Sequence, residues 1–277
     1  MAVRGKLSGS VPILLILCAA FSLSAVHPQP QQPPSVPPPA KTPPPQVPPP
    51  VLPVAPQAPP LPPQPLRPTL SVVIIDPGHG GADAGARGAN GVVESDIVLN
   101  YARALRDELQ RQGFRVLVTR QGNENPSFDE RSAIANAQHG DIFISLHVST
   151  TGPVGTVRVY SLPSSLLASP ASSEALMAER AGLVDWHTAQ RPFVEQSRRL
   201  AELAQIQLAQ RFRGSPEVPI YAPVRQLRTV AAPAFAVEVS SVSGASAGQL
   251  AQMGPELAQA VARAVTAFKP LYEAGAK

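Results

Sequence analysis

The feature that most limits how this chain can fold is a proline-rich tract at residues 27–68, which holds 21 of the 34 prolines. Proline has no backbone N–H and a fixed φ, so such a run forms neither a helix interior nor a sheet ladder. It favours extended polyproline II, reaching on the order of 120 Å. We interpret residues 27–69 as a disordered tether. A ligand for proline-recognising modules is a second interpretation, because composition alone does not separate the two.

The segment before the tether is typical of an export signal. Arg4 and Lys6 precede an apolar run of about 16 residues, Val11–Val26, which is short for a membrane span. We therefore predict a signal peptide over residues 1–26, with cleavage after Ser24 or Ala25, and export to the periplasm or cell wall. If the segment is not cleaved, it would serve as a membrane tether.

Cysteine and charge exclude several classes of protein. The only cysteine, Cys18, lies in the predicted signal peptide, so a mature chain would have neither disulfides nor thiolate metal ligands. Leu17 stands where a lipid-modification signal usually has a small residue. The net charge of +4 arises before residue 70, since residues 70–277 carry 19 basic and 19 acidic side chains. No basic stripe with interleaved aromatics is present, and we predict no nucleic-acid partner.

From Thr69 onward, short apolar runs alternate with amphipathic segments. This alternation predicts one α/β domain over residues 70–277, a three-layer fold with a mixed, mostly parallel sheet flanked by helices. The expected strands are 71–75, 114–119, 141–146, 156–161 and 234–239, and the expected helices are 96–112, 128–138, 195–212 and 247–268. Ser95 or Asp96 is expected to cap the first helix.

Four residues on this frame suggest chemistry: His79, Glu94, His147 and Glu238. His79 lies in a glycine-rich turn after the first strand, and His147 follows a buried strand, where open α/β sheets gather ligands. Two imidazoles and one carboxylate can hold Zn²⁺ with a position left for water, while a second carboxylate carries protons. Each residue alone also has a structural interpretation, such as an ion pair between Glu238 and an arginine.

Several sequence blocks resemble the zinc-dependent N-acetylmuramoyl-L-alanine amidases of the type-3 class. They are DPGHGGADAGARG (76–88) followed by Glu94, GFRVLVTR (113–120), ERSAIAN (130–136), DIFISLH (141–147) and PAFAVEVSSVSG (233–244). The resemblance runs from about residue 72 to 268. It implies one Zn²⁺ per chain, held by His79, Glu94 and His147, with Glu238 as the catalytic carboxylate.

The resemblance further implies hydrolysis of the amide between N-acetylmuramic acid and the L-alanine of the peptidoglycan stem peptide. Glu238 would move the protons, a role that apolar surroundings would favour. Asp76 is a candidate to orient His79, with a turn-stabilising role as the alternative. Arg131 and Asn136 match the family and are interpreted as structural, with Arg131 pairing with a buried carboxylate.

The chain departs from the family in three places. Val148-Ser149-Thr150 stands where Ala-Asn-Ala is common, and residues 239–244 lack the usual Gly-Phe pair and asparagine. The long connection 162–194 carries Glu174 and Glu179, either of which would cap the metal if this segment covered it; a wall of the substrate groove is the alternative. In the same connection, His187 is not expected to be a ligand.

Two other functions stay open at this point. One is a non-catalytic peptidoglycan-binding module, and the other is a zinc peptidase that acts on another amide. The sequence identifies no protein activator.

Overall fold

The computed structural model describes residues 69–88, 91–167 and 186–275. Its strands are β1 (Val72–Pro77), β2 (Arg115–Val118), β3 (Ile142–Val148), β4 (Val157–Ser161), β5 (Ile220–Tyr221) and β6 (Ala234–Val239). They form one six-stranded sheet in the order β2-β1-β3-β6-β4-β5.

The sheet is mixed and mostly parallel, which confirms the predicted fold class. β1 pairs in parallel with β2 and β3, and β3 pairs in parallel with β6. The carboxyl ends of β1, β3 and β6 therefore meet at one edge. β4 runs antiparallel to β6, because the loop 149–156 between β3 and β4 is too short for the crossover that a parallel strand needs.

Helices cover both faces of the sheet. They are α1 (Glu94–Arg111), α2 (Phe128–Ala137), α3 (Val194–Arg211), α4 (Arg225–Arg228) and α5 (Ala247–Gly275). Alternate β1 side chains point to opposite faces, so Ile75 packs in the core with α1, α3 and α5, while Ile74 packs with α2 and α4. Burying one such side chain contributes about 1.5–3 kcal/mol.

The start of α1 differs from the expected one. The helix begins at Glu94, and its N-cap residue, Val93, makes no side-chain capping bond, so the predicted cap at Ser95 or Asp96 is wrong. The preceding loop replaces the cap, because the backbone N–H of Glu94 donates to the carbonyl of Ala86 at 2.8 Å. This contact also ties the loop to the helix end that carries Glu94.

Other boundaries shift by a few residues. β3 continues to Val148, so His147 lies within the strand rather than after it. α5 continues to Gly275, past the expected end at Phe268, because Tyr272 packs against the core. β5 and α4 were not predicted, since two and four residues are too few to show a periodicity.

The predicted signal peptide (1–26) and tether (27–69) lie outside the described residues, apart from Thr69. Within the described ranges, no helix combines the length and the apolar character that crossing a membrane requires.

Candidate metal centre and active site

Asp76, near the carboxyl end of β1, is the buried anchor of the turn that follows. It is 1% exposed and accepts hydrogen bonds from the hydroxyls of Thr119 at 2.5 Å and Ser145 at 3.0 Å. The guanidinium of Arg131 completes the set at 2.8 Å, as expected of an arginine that pairs with a buried carboxylate. Asp76 does not contact the His79 ring, so the orienting role suggested for it is wrong.

Two buried arginines hold the three successive carbonyls of this turn. Arg131 donates to the carbonyls of Pro77 at 2.8 Å and His79 at 2.7 Å. Arg120 donates to the carbonyls of Pro77 at 2.9 Å and Gly78 at 2.8 Å. His79 has a backbone φ of +62°, which residues other than glycine rarely adopt, and these hydrogen bonds keep the backbone in this conformation. Arg120 was not singled out from the sequence; its position two residues after the end of β2 is the available signal.

The structure brings His79, Glu94 and His147 together at the carboxyl edge of the sheet. His79 Nε2 lies 3.1 Å from one Glu94 oxygen, and His147 Nδ1 lies 2.9 Å from the other. One ligand atom from each of the three side chains lies within 4.8 Å of the others. The backbone N–H groups of Ala86 and Val148 hold the carboxylate at 2.8 and 2.9 Å.

Asp83 orients His79, a role that was not predicted. Its Oδ2 lies 2.8 Å from His79 Nδ1, and its Oδ1 accepts from the backbone N–H of Gly85 at 3.1 Å. With Nδ1 occupied, the His79 ring turns Nε2 toward Glu94, which fixes the tautomer that a metal would need. The four-residue spacing within the glycine-rich loop was the only sequence signal for this contact.

Two glycines give the cluster its room. A Cβ added at Gly78 would lie 2.4 Å from His147 Cε1. At Gly85 it would lie 2.6 Å from Glu94 Oε2 and 2.7 Å from His79 Cδ2, and Gly85 also has a φ of +67°. Close approach of backbone to the ligand set therefore requires glycine at both positions.

Charge within the cluster shifts two pKa values. The hydrogen bond with Glu94 is the main cause that raises the pKa of His79, against the opposing effect of burial, and Asp83 adds to the rise. Burial alone would raise the pKa of Glu94. Hydrogen bonds from His147 and His79 outweigh burial and hold the pKa of Glu94 well below its usual range. The two shifts have opposite directions, and both favour the charged forms of His79 and Glu94.

The cluster fits a small divalent cation. Zn–N and Zn–O bonds of about 2.0–2.1 Å put neighbouring ligands of a tetrahedral site about 3.3 Å apart. The His79 and His147 nitrogens lie 3.1 and 2.9 Å from the two different oxygens of Glu94, and one ligand atom from each of the three side chains lies within 4.8 Å of the others. Imidazole nitrogen with carboxylate oxygen also suits zinc among the divalent metals, and three protein ligands leave a position open.

Glu238 lies beside the cluster, on β6. It is the register partner of His147 on β3 and of Arg158 on β4. Its Oε1 lies 3.2 Å from a guanidinium nitrogen of Arg158 and accepts from the Tyr160 hydroxyl at 3.1 Å. The ion pair with an arginine, given above as the structural interpretation of Glu238, is therefore present, and β4 places two polar side chains against the carboxylate. Within the described residues, Oε2 accepts no hydrogen bond.

The two segments that depart from the family contact each other. The backbone N–H of Ser149 donates to the carbonyl of Val239 at 2.9 Å, and that of Val242 donates to the carbonyl of Ser149 at 2.8 Å. The Ser241 hydroxyl donates to the carbonyl of Thr150 at 2.7 Å. The unusual residues after His147 and after Glu238 are thus joined to each other by hydrogen bonds.

The other residues singled out from the sequence are not among the clustered ligands of the described residues. Asn136 is structural, since it bridges the Thr229 carbonyl at 2.9 Å and the Ala231 N–H at 2.8 Å. Glu174 and Glu179 lie in 168–185, outside the described residues, so the capping prediction has no structural counterpart here. His187 is not among the clustered residues.

The family model and two of the curated proteins that match this chain share one description, N-acetylmuramoyl-L-alanine amidase. A family model described as N-acetylmuramoyl-L-alanine amidase matches residues 73–267. The amidase CwlM of Bacillus licheniformis is 40% identical over 85 residues, which cover 30% of this chain and 33% of that protein. AmiA of Escherichia coli is 41% identical over 76 residues, 27% of this chain and 26% of that protein. The aligned segments therefore span about a third or less of these curated relatives.

Solved structures agree in fold. The N-acetylmuramoyl-L-alanine amidase AmiC2 of Nostoc punctiforme aligns with a TM-score of 0.53 at 23% identity, over 72% of this chain and 96% of that one. An N-acetylmuramoyl-L-alanine amidase from Clostridium difficile 630 aligns with a TM-score of 0.53 at 21% identity, over 72% and 97%.

Proposed function

Because the chain belongs to the N-acetylmuramoyl-L-alanine amidase family, we propose that it hydrolyses the amide between N-acetylmuramic acid and the L-alanine of the peptidoglycan stem peptide. The observation that carries this proposal is the convergence of two imidazoles and one carboxylate within 4.8 Å at the carboxyl edge of the sheet. Another carboxylate, Glu238, lies on the neighbouring strand in register with His147.

His79, Glu94 and His147 would hold one Zn²⁺ per chain. Asp83 keeps His79 Nε2 directed at the site, and the N–H groups of Ala86 and Val148 keep the Glu94 carboxylate in place. When bound, zinc supplies Lewis-acid chemistry, polarising the amide carbonyl and acidifying water.

Glu238 would act as the proton carrier. Arg158 and Tyr160 hold Oε1, which leaves Oε2 to take a proton from water and pass it to the departing amine nitrogen. Fixing one oxygen also sets the direction of the other, which general base catalysis needs. Arg158 and Tyr160 are positioning residues in this scheme, since both act through Glu238.

The ion pair between Glu238 and Arg158 is also what a purely structural carboxylate would show. This observation favours the alternative of a peptidoglycan-binding module without turnover. The two functions differ in one outcome: the module retains affinity for peptidoglycan and releases no soluble product.

The test combines metal analysis with mass spectrometry of digested peptidoglycan. The purified protein should contain about one zinc per chain and release stem peptides that begin with L-alanine. Glu238→Gln should keep its zinc and release none, while Glu217→Gln, an exposed carboxylate on another surface, should behave as the parent. If the parent protein contains zinc but releases no product, the result would favour the non-catalytic binding module. Cleavage of glycan-free peptides would indicate a peptidase.

We also propose that residues 1–26 direct export and that residues 27–69 tether the domain in the periplasm or cell wall. The proline-rich composition and the apolar run support this organisation. Intact mass of the exported protein distinguishes a cleaved chain from one that keeps its amino-terminal segment as an anchor.

A further inference from the structure

An exposed aromatic ring shares the cavity of the candidate metal site. The cavity, about 180 Å³ in volume, has His79, Asp83, His147 and Phe128 among its lining residues. Phe128 is the first residue of α2, and its side chain is 45% exposed. A large apolar side chain in this position does not contribute to the core.

The backbone holds the ring in this position. Ser127 caps α2 in a reciprocal arrangement with Glu130, and the Phe128 carbonyl accepts from the Ser132 hydroxyl at 3.1 Å and from Gln226 Nε2 at 3.4 Å. Gln226 belongs to α4, so the second contact fixes α4 against the start of α2. Phe128 is therefore presented to the cavity on a rigid element.

α4 places a cation over the ring. The guanidinium carbon of Arg225 lies 4.8 Å from the centroid of the Phe128 ring, a cation–π contact that orients the planar group. Arg225 is exposed, and within the described residues its guanidinium forms no ion pair and donates no hydrogen bond. Arg120, Arg131 and Arg158 differ, since carbonyls or carboxylates occupy their donors.

We propose that Phe128 and Arg225 form a substrate subsite in which Arg225 binds a carboxylate of the stem peptide. The inference rests on the proposed function, because that function makes the peptide the group that extends away from the reacting amide. A preorganised guanidinium with free donors matches a carboxylate with two parallel hydrogen bonds. Phe128 connects the two ends of the proposed subsite, because its ring lines the cavity together with His79 and His147 and also contacts Arg225.

Binding to zinc-free protein tests the subsite without turnover. The probes are N-acetylmuramoyl-L-alanyl-D-glutamate and the same compound with both carboxyl groups amidated, titrated by calorimetry. The parent should prefer the diacid, and Arg225→Gln should weaken diacid binding on the order of tenfold while leaving diamide binding unchanged. Arg225→Lys keeps the charge without the planar fork and should lose part of the preference.

Arg115→Gln is the matched control, because Arg115 is also exposed and begins β2 at the opposite edge of the sheet. It should bind both probes as the parent does, and all variants should keep the parent's melting temperature. An unchanged ratio of diacid to diamide affinity in Arg225→Gln would overturn the subsite.

Kinetics of the zinc-loaded protein then separate this inference from the proposed function. If Arg225→Gln raises KM for the diacid with kcat within about twofold, the residue positions substrate and takes no part in the chemistry. A parent that binds the diacid through Arg225 but cleaves nothing would refute the amidase proposal and leave the carboxylate subsite intact. A parent that cleaves both probes equally, with no effect of Arg225→Gln, would support the amidase proposal and refute the carboxylate subsite.

Discussion

Replacing Arg131 with methionine should destabilise the domain and the candidate metal site together. Arg131 is 3% exposed, and its guanidinium serves the Asp76 carboxylate and the carbonyls of Pro77, His79 and Pro126 at 2.7–2.8 Å. Methionine fills much of the volume but donates nothing. The substitution therefore leaves a buried carboxylate with only two hydroxyl partners and three carbonyls with a donor fewer.

The size of the effect follows from these contacts. Removing one partner of a buried ion pair costs about 3–5 kcal/mol. Against a total unfolding free energy of about 5–15 kcal/mol, the variant should still fold. For a domain of this size, a loss of about 4 kcal/mol lowers Tm by about 8–16 °C. Because the His79 carbonyl loses its donor, zinc affinity should also fall about tenfold.

Urea denaturation followed by circular dichroism measures the first effect, and competition with a chelator of known affinity measures the second. Arg198→Met is the control, since Arg198 pairs with Glu195 on the surface of α3 and should contribute at most about 1 kcal/mol.

A double-mutant cycle with Asp76→Asn tests the cause. Once the buried negative charge is removed, Arg131→Met should cost markedly less than it does alone. Additive costs, or a loss below about 1 kcal/mol for Arg131→Met alone, would contradict the assignment of Arg131 and Asp76 as a coupled buried pair.

Three further results are expected. Gly85→Ala should abolish stoichiometric zinc binding, because the new methyl group would crowd Glu94, whereas Gly91→Ala, at a similar positive φ in open space, should keep the metal; equal zinc contents would refute the steric argument. Asp83→Ala should weaken zinc binding about 10–100-fold with little change in Tm, since the His79 ring loses the acceptor that orients it; chelator competition measures this. In metal-free protein, the raised pKa of His79 contributes stability that is fully present below pH 6.5, the ordinary pKa of histidine, and this stability is lost as the pH rises through the raised pKa. The lowered pKa of Glu94 contributes stability that is present above pH 4.5 and is lost only in strong acid. Melting in chelator should therefore show a fall in Tm above pH 6.5 that zinc-loaded protein lacks, and parallel curves would count against it.

The order of elements and the residues of the candidate cluster could be predicted because their signals are local. Apolar runs and helical periodicity predicted the three-layer fold, and the placement of His79 and His147 at strand ends predicted that they would approach each other. The sequence shows where each strand ends, and parallel pairing of the strands brings residues at those ends close together. Very short elements such as β5 and α4 carry no such pattern.

The sequence indicated a kind of partner for Arg131 and for Glu238, but only the tertiary structure decided which residue each one meets. Arg131 meets Asp76 across 55 positions, and Arg158 meets Glu238 across 80. Whether Asp76 or Asp83 orients His79 depends on the turn that two buried guanidinium groups impose. The residues around Glu238 in the sequence of β6 do not indicate that β4 will pair beside it and supply its partners. The sequence by itself determined which chemical groups are present and which strand ends carry them. Only folding determined which donor reaches which acceptor, because hydrogen bonds of about 3 Å depend on register and turn geometry that no local pattern encodes.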